Sequence, residues 1–145
     1  MRIERRFTKP GQGAYADIAF RKGISEIRNP DGSIVFRLAD IDVPAQFSQV
    51  ATDVLAQKYF RKAGVPARLE KVEENDVPSF LWRSVADEKA LKDLPEDERY
   101  GSETDARQVF DRLAGTWTYW GWKGKYFTSE EDAAAFKDEL AYMLA

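Results

Sequence analysis

An α+β fold, a small antiparallel sheet with a β-hairpin packed against about three main helices, follows from three features of the sequence. Apolar residues alternate with period two between Ile18 and Val43, the period then lengthens to three and four residues, and a second helical pattern returns after residue 103. With 145 residues, 43% of them hydrophobic and 32% charged, the chain has the size and composition of one domain, residues 1–145, able to bury a core. It divides into a sheet-rich part (15–45), a helix (46–63), an acidic connection (67–101) and a helical part (103–145).

The opening segment MRIERRFTKPGQG is polar and charged, without the apolar stretch of a secretory signal, and Gly11-Gln12-Gly13 reads as a flexible lead-in to the first strand. Ile18 and Phe20 share one strand face, as do Ile34, Phe36 and Leu38, and then Ile41 and Val43. Asn29-Pro30-Asp31-Gly32-Ser33 separates two of these strands. Proline presets one turn dihedral and Gly32 can take a positive φ, so the stretch predicts a hairpin.

Beyond Pro44, Phe47, Val50, Ala51, Val54, Leu55 and Tyr59 form a helical stripe, expected to face the core and to stop at Gly64 with Pro66 beyond it. From Arg68 to Tyr100 periodicity is lost, and the stretch reads as a solvated surface connection anchored by Phe80-Leu81-Trp82. Ser102 followed by Asp105 resembles a capping box for a second helix, whose stripe of Val109, Phe110, Leu113, Trp117 and Trp120 should face inward. Thr128 to Glu131 predicts a capping box for a third helix, with Ala133, Phe136, Leu140, Met143 and Leu144 as its stripe. That helix lacks a terminal glycine or basic last turn, so it either docks on its own core or continues in a longer chain.

Charge is unevenly spread: residues 1–66 carry +4, residues 67–105 carry −6 and residues 106–145 carry −1, for a net −3. The acidic middle argues against a nucleic-acid groove across the whole domain, because phosphate binding needs clustered positive charge. The chain has neither cysteine nor histidine, which removes disulfides, thiol nucleophiles, thiolate or imidazole metal ligands and the usual base near neutral pH. A cytoplasmic location is the expectation, with no membrane partner. Gly115 to Lys123 fails the phosphate-loop pattern on spacing and on the missing hydroxyl, and its aromatics would block close backbone approach. The acidic pairs Glu73-Glu74 and Glu130-Glu131 read as a solvated connection and a helix first turn. No catalytic, cofactor-binding or metal-binding residue is therefore assigned.

The unusual feature is Trp117 to Phe127, which sets six aromatics and two lysines in eleven residues. Trp122, Lys123, Lys125, Tyr126, Phe127 and, at the far end of the last helix, Leu144 are the candidate interface residues. The alternative is a nucleotide or single-stranded nucleic-acid module that stacks bases on the 117–127 turn.

The strings SEIRNPDGSIVFR from Ser25, SQVATDVLAQKYFRKAGVPARLEKVEENDVPSFLWRSV from Ser48, RYGSE from Arg99 and QVFDRLAGTWTYWGWKGKYF from Gln108 cover much of the chain. They resemble the N-terminal region of bacterial class II, adenosylcobalamin-dependent ribonucleotide reductases. Lys125 stands where the resemblance leads one to expect glycine. The resemblance implies a parent enzyme that reduces ribonucleotides through a cobalamin-generated cysteine thiyl radical, with a redox-active cysteine pair and allosteric nucleotide effectors. It implies that those cysteines and the cobalamin contacts lie in a catalytic barrel, in the same or a separate chain, and that this domain is the stretch before it. An independent protein that kept the domain after losing the barrel is the other outcome considered.

Overall fold

The computed structural model describes residues 1–145. The predicted hairpin forms from β1 (Phe20–Arg28) and β2 (Ile34–Pro44), paired antiparallel from Phe20↔Pro44 to Arg28↔Ile34. Its turn closes through Gly32 N to Asn29 O (2.9 Å) and Asn29 N to Ser33 O (2.8 Å), with Gly32 at φ +86°. Ile34 to Val43 is one strand rather than two; irregular register at Gly23/Ser25 lets Ile41 and Val43 enter the core while Ile34 stays exposed. At Gly23 a Cβ would lie 3.2 Å from Val43 and 3.3 Å from Thr52, so the missing side chain is what lets strand and helix approach.

The helix expected over 46–63 is shorter. Ser48 caps α1 (Gln49–Val54) by accepting Ala51 N, and a π-helical turn, Leu55–Tyr59, follows. The chain turns extended at Phe60, four residues before Gly64, because Arg61 N donates to the Glu103 carboxylate (3.0 Å) instead of continuing the helix. The expected stripe is also rotated: Thr52, Leu55, Ala56 and Phe60 are buried, whereas Val50, Val54 and Tyr59 are exposed.

The acidic connection is not a plain solvated loop. It holds β3 (Val65–Pro66), β4 (Leu69–Lys71), a 3₁₀ turn at Ser79–Leu81, β5 (Ser84–Ala86), α2 (Glu88–Lys92), a 3₁₀ turn at Glu96–Glu98 and β6 (Tyr100–Gly101). β3 pairs with β6 and β4 with β5, both antiparallel. Within the predicted anchoring patch Leu81 is buried, and the Trp82 indole donates to Val77 O (2.9 Å).

α3 (Ala106–Lys123) starts three residues later than Ser102 predicts. Asp105 is its cap, and Gln108 completes the capping box by accepting Asp105 N (3.0 Å). α4 (Glu130–Leu144) is capped by Ser129 with Asp132 at the third position, one residue later than the Thr128–Glu131 reading. Asp42 N donates to Thr104 O (2.9 Å), tying β2 to the start of α3. The core is Ile41 and Val43 of β2, Leu55, Ala56 and Phe60, Ala106, Val109 and Phe110 of α3, and Ala145. Tyr15, Phe20, Phe47 and Leu113 pack around it, and the Arg107 guanidinium lies 3.9 Å over the Phe20 ring.

Two polar ties complete the fold. Residues 3–8 strap onto α4: Ile3 N donates to Asp132 (2.7 Å), Arg5 pairs with Asp138 (2.7 Å), and Thr8 N and hydroxyl donate to Glu139 (2.8 and 2.6 Å). Phe7 stacks on Tyr142 at 5.0 Å. The second tie is Glu103, whose buried carboxylate accepts Arg61 N and the Arg112 Nε (3.2 Å). No helix is long and apolar enough to cross a membrane.

Candidate functional site

The aromatic and lysine stretch forms the C-terminal half of α3 and the turn that joins it to α4. Gly124 N donates to Trp120 O, Lys125 N to Trp122 O and Tyr126 N to Gly121 O, each at 2.9 Å, which reverses the chain within three residues. Lys125 takes φ +59° at this reversal, the left-handed region that favours glycine, and so gives a physical meaning to the glycine expected there. A Cβ on Gly121 would lie 2.6 Å from the Phe127 ring, so that glycine is what seats Phe127, which also packs at 5.4 Å on Phe136.

The six candidate residues do not form one surface. Trp122 is half-buried and its indole donates to Asp76 O (2.7 Å). Phe127 is half-buried under the turn. Lys123 is exposed but pairs with Glu74 (3.2 Å). Lys125 and Tyr126 face outward, Tyr126 at 63% exposure. Leu144 sits at the other end of α4, about 20 Å away at 1.5 Å per residue, against the core cluster. There it lines an open groove of about 430 Å³ with Ile18, Ala19, Phe47 and Met143.

The acidic connection supplies what lies against this half of α3. Glu74 accepts the Tyr119 hydroxyl (2.9 and 3.1 Å) and the Lys123 ammonium. The hydrogen bond from Tyr119, then that from Lys123, holds the Glu74 carboxyl below its usual range. The same bond to Glu74 raises Tyr119, and Lys123 is likewise raised, first by its hydrogen bond to Glu74. Every shift moves a group away from neutrality, so the triad is locked as phenol, carboxylate and ammonium and is not poised to exchange protons near pH 7. Tyr15, whose hydroxyl donates to Asp111 (2.7 Å), is pushed up by burial and then by that bond.

Two placements overturn the sequence reading. Trp117 and Trp120, expected to face the core, are 46% and 62% exposed. The buried positions in this half of α3 are instead Ala114 and Thr118, the latter bonding Ala114 O (2.6 Å). Met143, expected on the α4 stripe, is also exposed. Glu103 and the α4 strap escaped sequence reasoning, since none of these acids stands out within a charge-rich stretch; a glutamate inside the Ser102–Asp105 capping segment was the only available hint for Glu103.

Comparison with known proteins places these residues in context. Residues 21–145 match the family model described as class II vitamin B12-dependent ribonucleotide reductase. A vitamin B12-dependent ribonucleotide reductase of Agrobacterium fabrum is 88% identical over 145 residues, covering 100% of this chain and 11% of the relative. One from Bradyrhizobium diazoefficiens is 72% identical over 100% of the chain and 12% of the relative. One from Streptomyces coelicolor is 29% identical over 99% of the chain and 12% of the relative. The chain thus spans about a tenth of the length of the curated relatives it matches.

Proposed function

The chain belongs to the class II vitamin B12-dependent ribonucleotide reductase family, and we propose that it serves there as a non-catalytic structural domain of a cobalamin-dependent ribonucleoside-diphosphate reductase. The observation that carries this reading is where its chemically capable side chains are spent. Glu103 and Arg112 bind the chain after α1, Asp132, Asp138 and Glu139 bind the N-terminal strap, and Glu74 binds Tyr119 and Lys123. Each joins distant segments of the domain itself.

In this reading the parent reaction, ribonucleotide to deoxyribonucleotide by a cysteine thiyl radical, runs in a catalytic barrel in the remainder of the reductase, in the cytoplasm, in support of DNA replication. A chain with no cysteine supplies neither the radical nor the reductant. Adenosylcobalamin belongs to that remainder too. The open groove of about 430 Å³ at the end of α4 is lined by apolar side chains, Gln46 and Asp17, a lining that does not fit a bulky corrin rimmed with amides.

Deleting the matching 145 residues from the full-length Agrobacterium fabrum relative tests the proposal. The expected result is a lower thermal midpoint with adenosylcobalamin affinity changed by less than about threefold; a loss of about a hundredfold or more would overturn a purely structural role. A nucleotide or oligonucleotide site on the 117–127 turn would instead show salt-sensitive binding to the domain. The Glu74 carboxylate beside Lys123 argues against it.

A further inference from the structure

The stripe Ala106, Val109, Phe110, Leu113, Trp117, Trp120 runs unbroken along α3 at three- and four-residue steps. Its first three members are buried and Leu113 is half-buried, against β2, the segment after α1 and Tyr15. The last two emerge into solvent, because the helix outruns the hairpin and the segment after α1 that cover its first half. The other sides of this half are occupied: Gly121 by Phe127, Trp122 by Asp76, and Tyr119 and Lys123 by Glu74. Two tryptophans are thus left on the open side of the helix, beside Thr116 and Lys123, which are also exposed.

Their polar atoms are also unspent. Trp82 and Trp122 donate their indole N–H to Val77 and Asp76 carbonyls, whereas Trp117 and Trp120 donate to nothing in the chain. An exposed apolar face ending in free indole donors is the composition of interface hot spots.

We propose that the Trp117–Trp120 face is the docking surface for the remaining polypeptide of the same reductase, continuing the domain's core stripe into the rest of the enzyme. This rests on the reading of the chain as one domain of that enzyme. Area decides the occupant. At 46% and 62% exposure the two side chains offer on the order of 200 Å². A stable dimer needs about 800 Å² per partner, so a second copy gains too little here. A tethered neighbour needs far less, since a linker supplies effective concentrations in the millimolar range. The relatives have about nine-tenths of their length outside the matched segment to supply it.

The test is hydroxyl-radical footprinting of full-length Agrobacterium fabrum reductase whose matching residues are exchanged for this sequence, with rates normalised to each residue type's intrinsic reactivity. Trp117 and Trp120 are expected to react about tenfold more slowly than the exposures of the domain dictate, and Trp120→Glu to restore Trp117 while Phe110 stays protected. Full reactivity of both tryptophans overturns the inference, as does protection that disappears on dilution, the mark of a second copy. Tyr126 separates the two levels. If it is protected while the tryptophans are not, only this face is wrong; if all three react freely, the domain does not dock through its aromatic surface at all, whereas the structural role is decided separately by the deletion.

Discussion

Replacing Glu103 with alanine removes the acceptor that ends the first helical segment. Glu103 is 2% exposed, while its partners Arg112 and Arg61 are 30% and 66% exposed. Its carboxylate accepts Arg61 N at 3.0 Å and Arg112 Nε at 3.2 Å, while its own amide donates to Arg61 O at 2.8 Å. Breaking a buried ion pair costs about 3–5 kcal/mol, but a partly exposed arginine regains water, which places this case near the low end, at about 3 kcal/mol. For a domain of this size that lowers the thermal midpoint by about 10 °C. Glu103→Gln keeps an acceptor for Arg61 N and loses only the charge, at a cost of about 1–2 kcal/mol. Urea and thermal unfolding followed by circular dichroism read both. An alanine variant within about 0.5 kcal/mol of the parent, or a glutamine variant as damaged as alanine, would refute the assignment of Glu103 as a charge-bearing tie.

Lys125→Gly relieves a left-handed backbone conformation that costs a lysine about 1–2 kcal/mol, against about 0.5–1 kcal/mol of added chain entropy, so a gain of up to about 1.5 kcal/mol is expected in the same unfolding assay. A loss would mean that the lysine makes a compensating contact. The N-terminal strap should be released by acid. Burial raises the Glu139 carboxyl, but bonds from Thr8, Arg6 and Phe7 outweigh it and leave it depressed, and Asp132 is depressed first by the Ile3 amide. Groups with depressed folded values stabilise above their unfolded values, about pH 4, and lose that contribution as pH falls through the folded ones. Hydrogen exchange at Ile3 and Thr8, corrected for intrinsic rates, should therefore rise between pH 5 and about pH 2.5. Unchanged protection would show that the Phe7–Tyr142 stack and the bonds of Met1 to Tyr126 and Thr128 hold the strap without the carboxylates.

Local chemistry was legible where a few adjacent residues decide the outcome. Asn29 to Ser33 specifies its own turn, and α3 and α4 are recognisable from capping residues and apolar spacing, although each cap lies one to three residues later than read. The cap register was ambiguous because Ser102 and Asp105, or Thr128 and Ser129, are chemically equivalent candidates; the bonds to Arg107 N and Asp132 N choose between them. The early end of α1 was not legible at all, since the group that draws Arg61 N out of the helix is Glu103, forty-two residues away.

By itself, then, the sequence determined the α+β class, the hairpin, the two long helices, the absence of thiol and imidazole chemistry and, through its matching strings, the family. Tertiary structure alone decided which part of each stripe is covered. Trp117 and Trp120 have the spacing of core residues, and spacing reports which side of a helix a residue occupies; it carries no record of where the neighbouring elements stop. Because α3 extends past the hairpin and the segment after α1, a pattern that reads as core along its whole length is core for one half and open surface for the other.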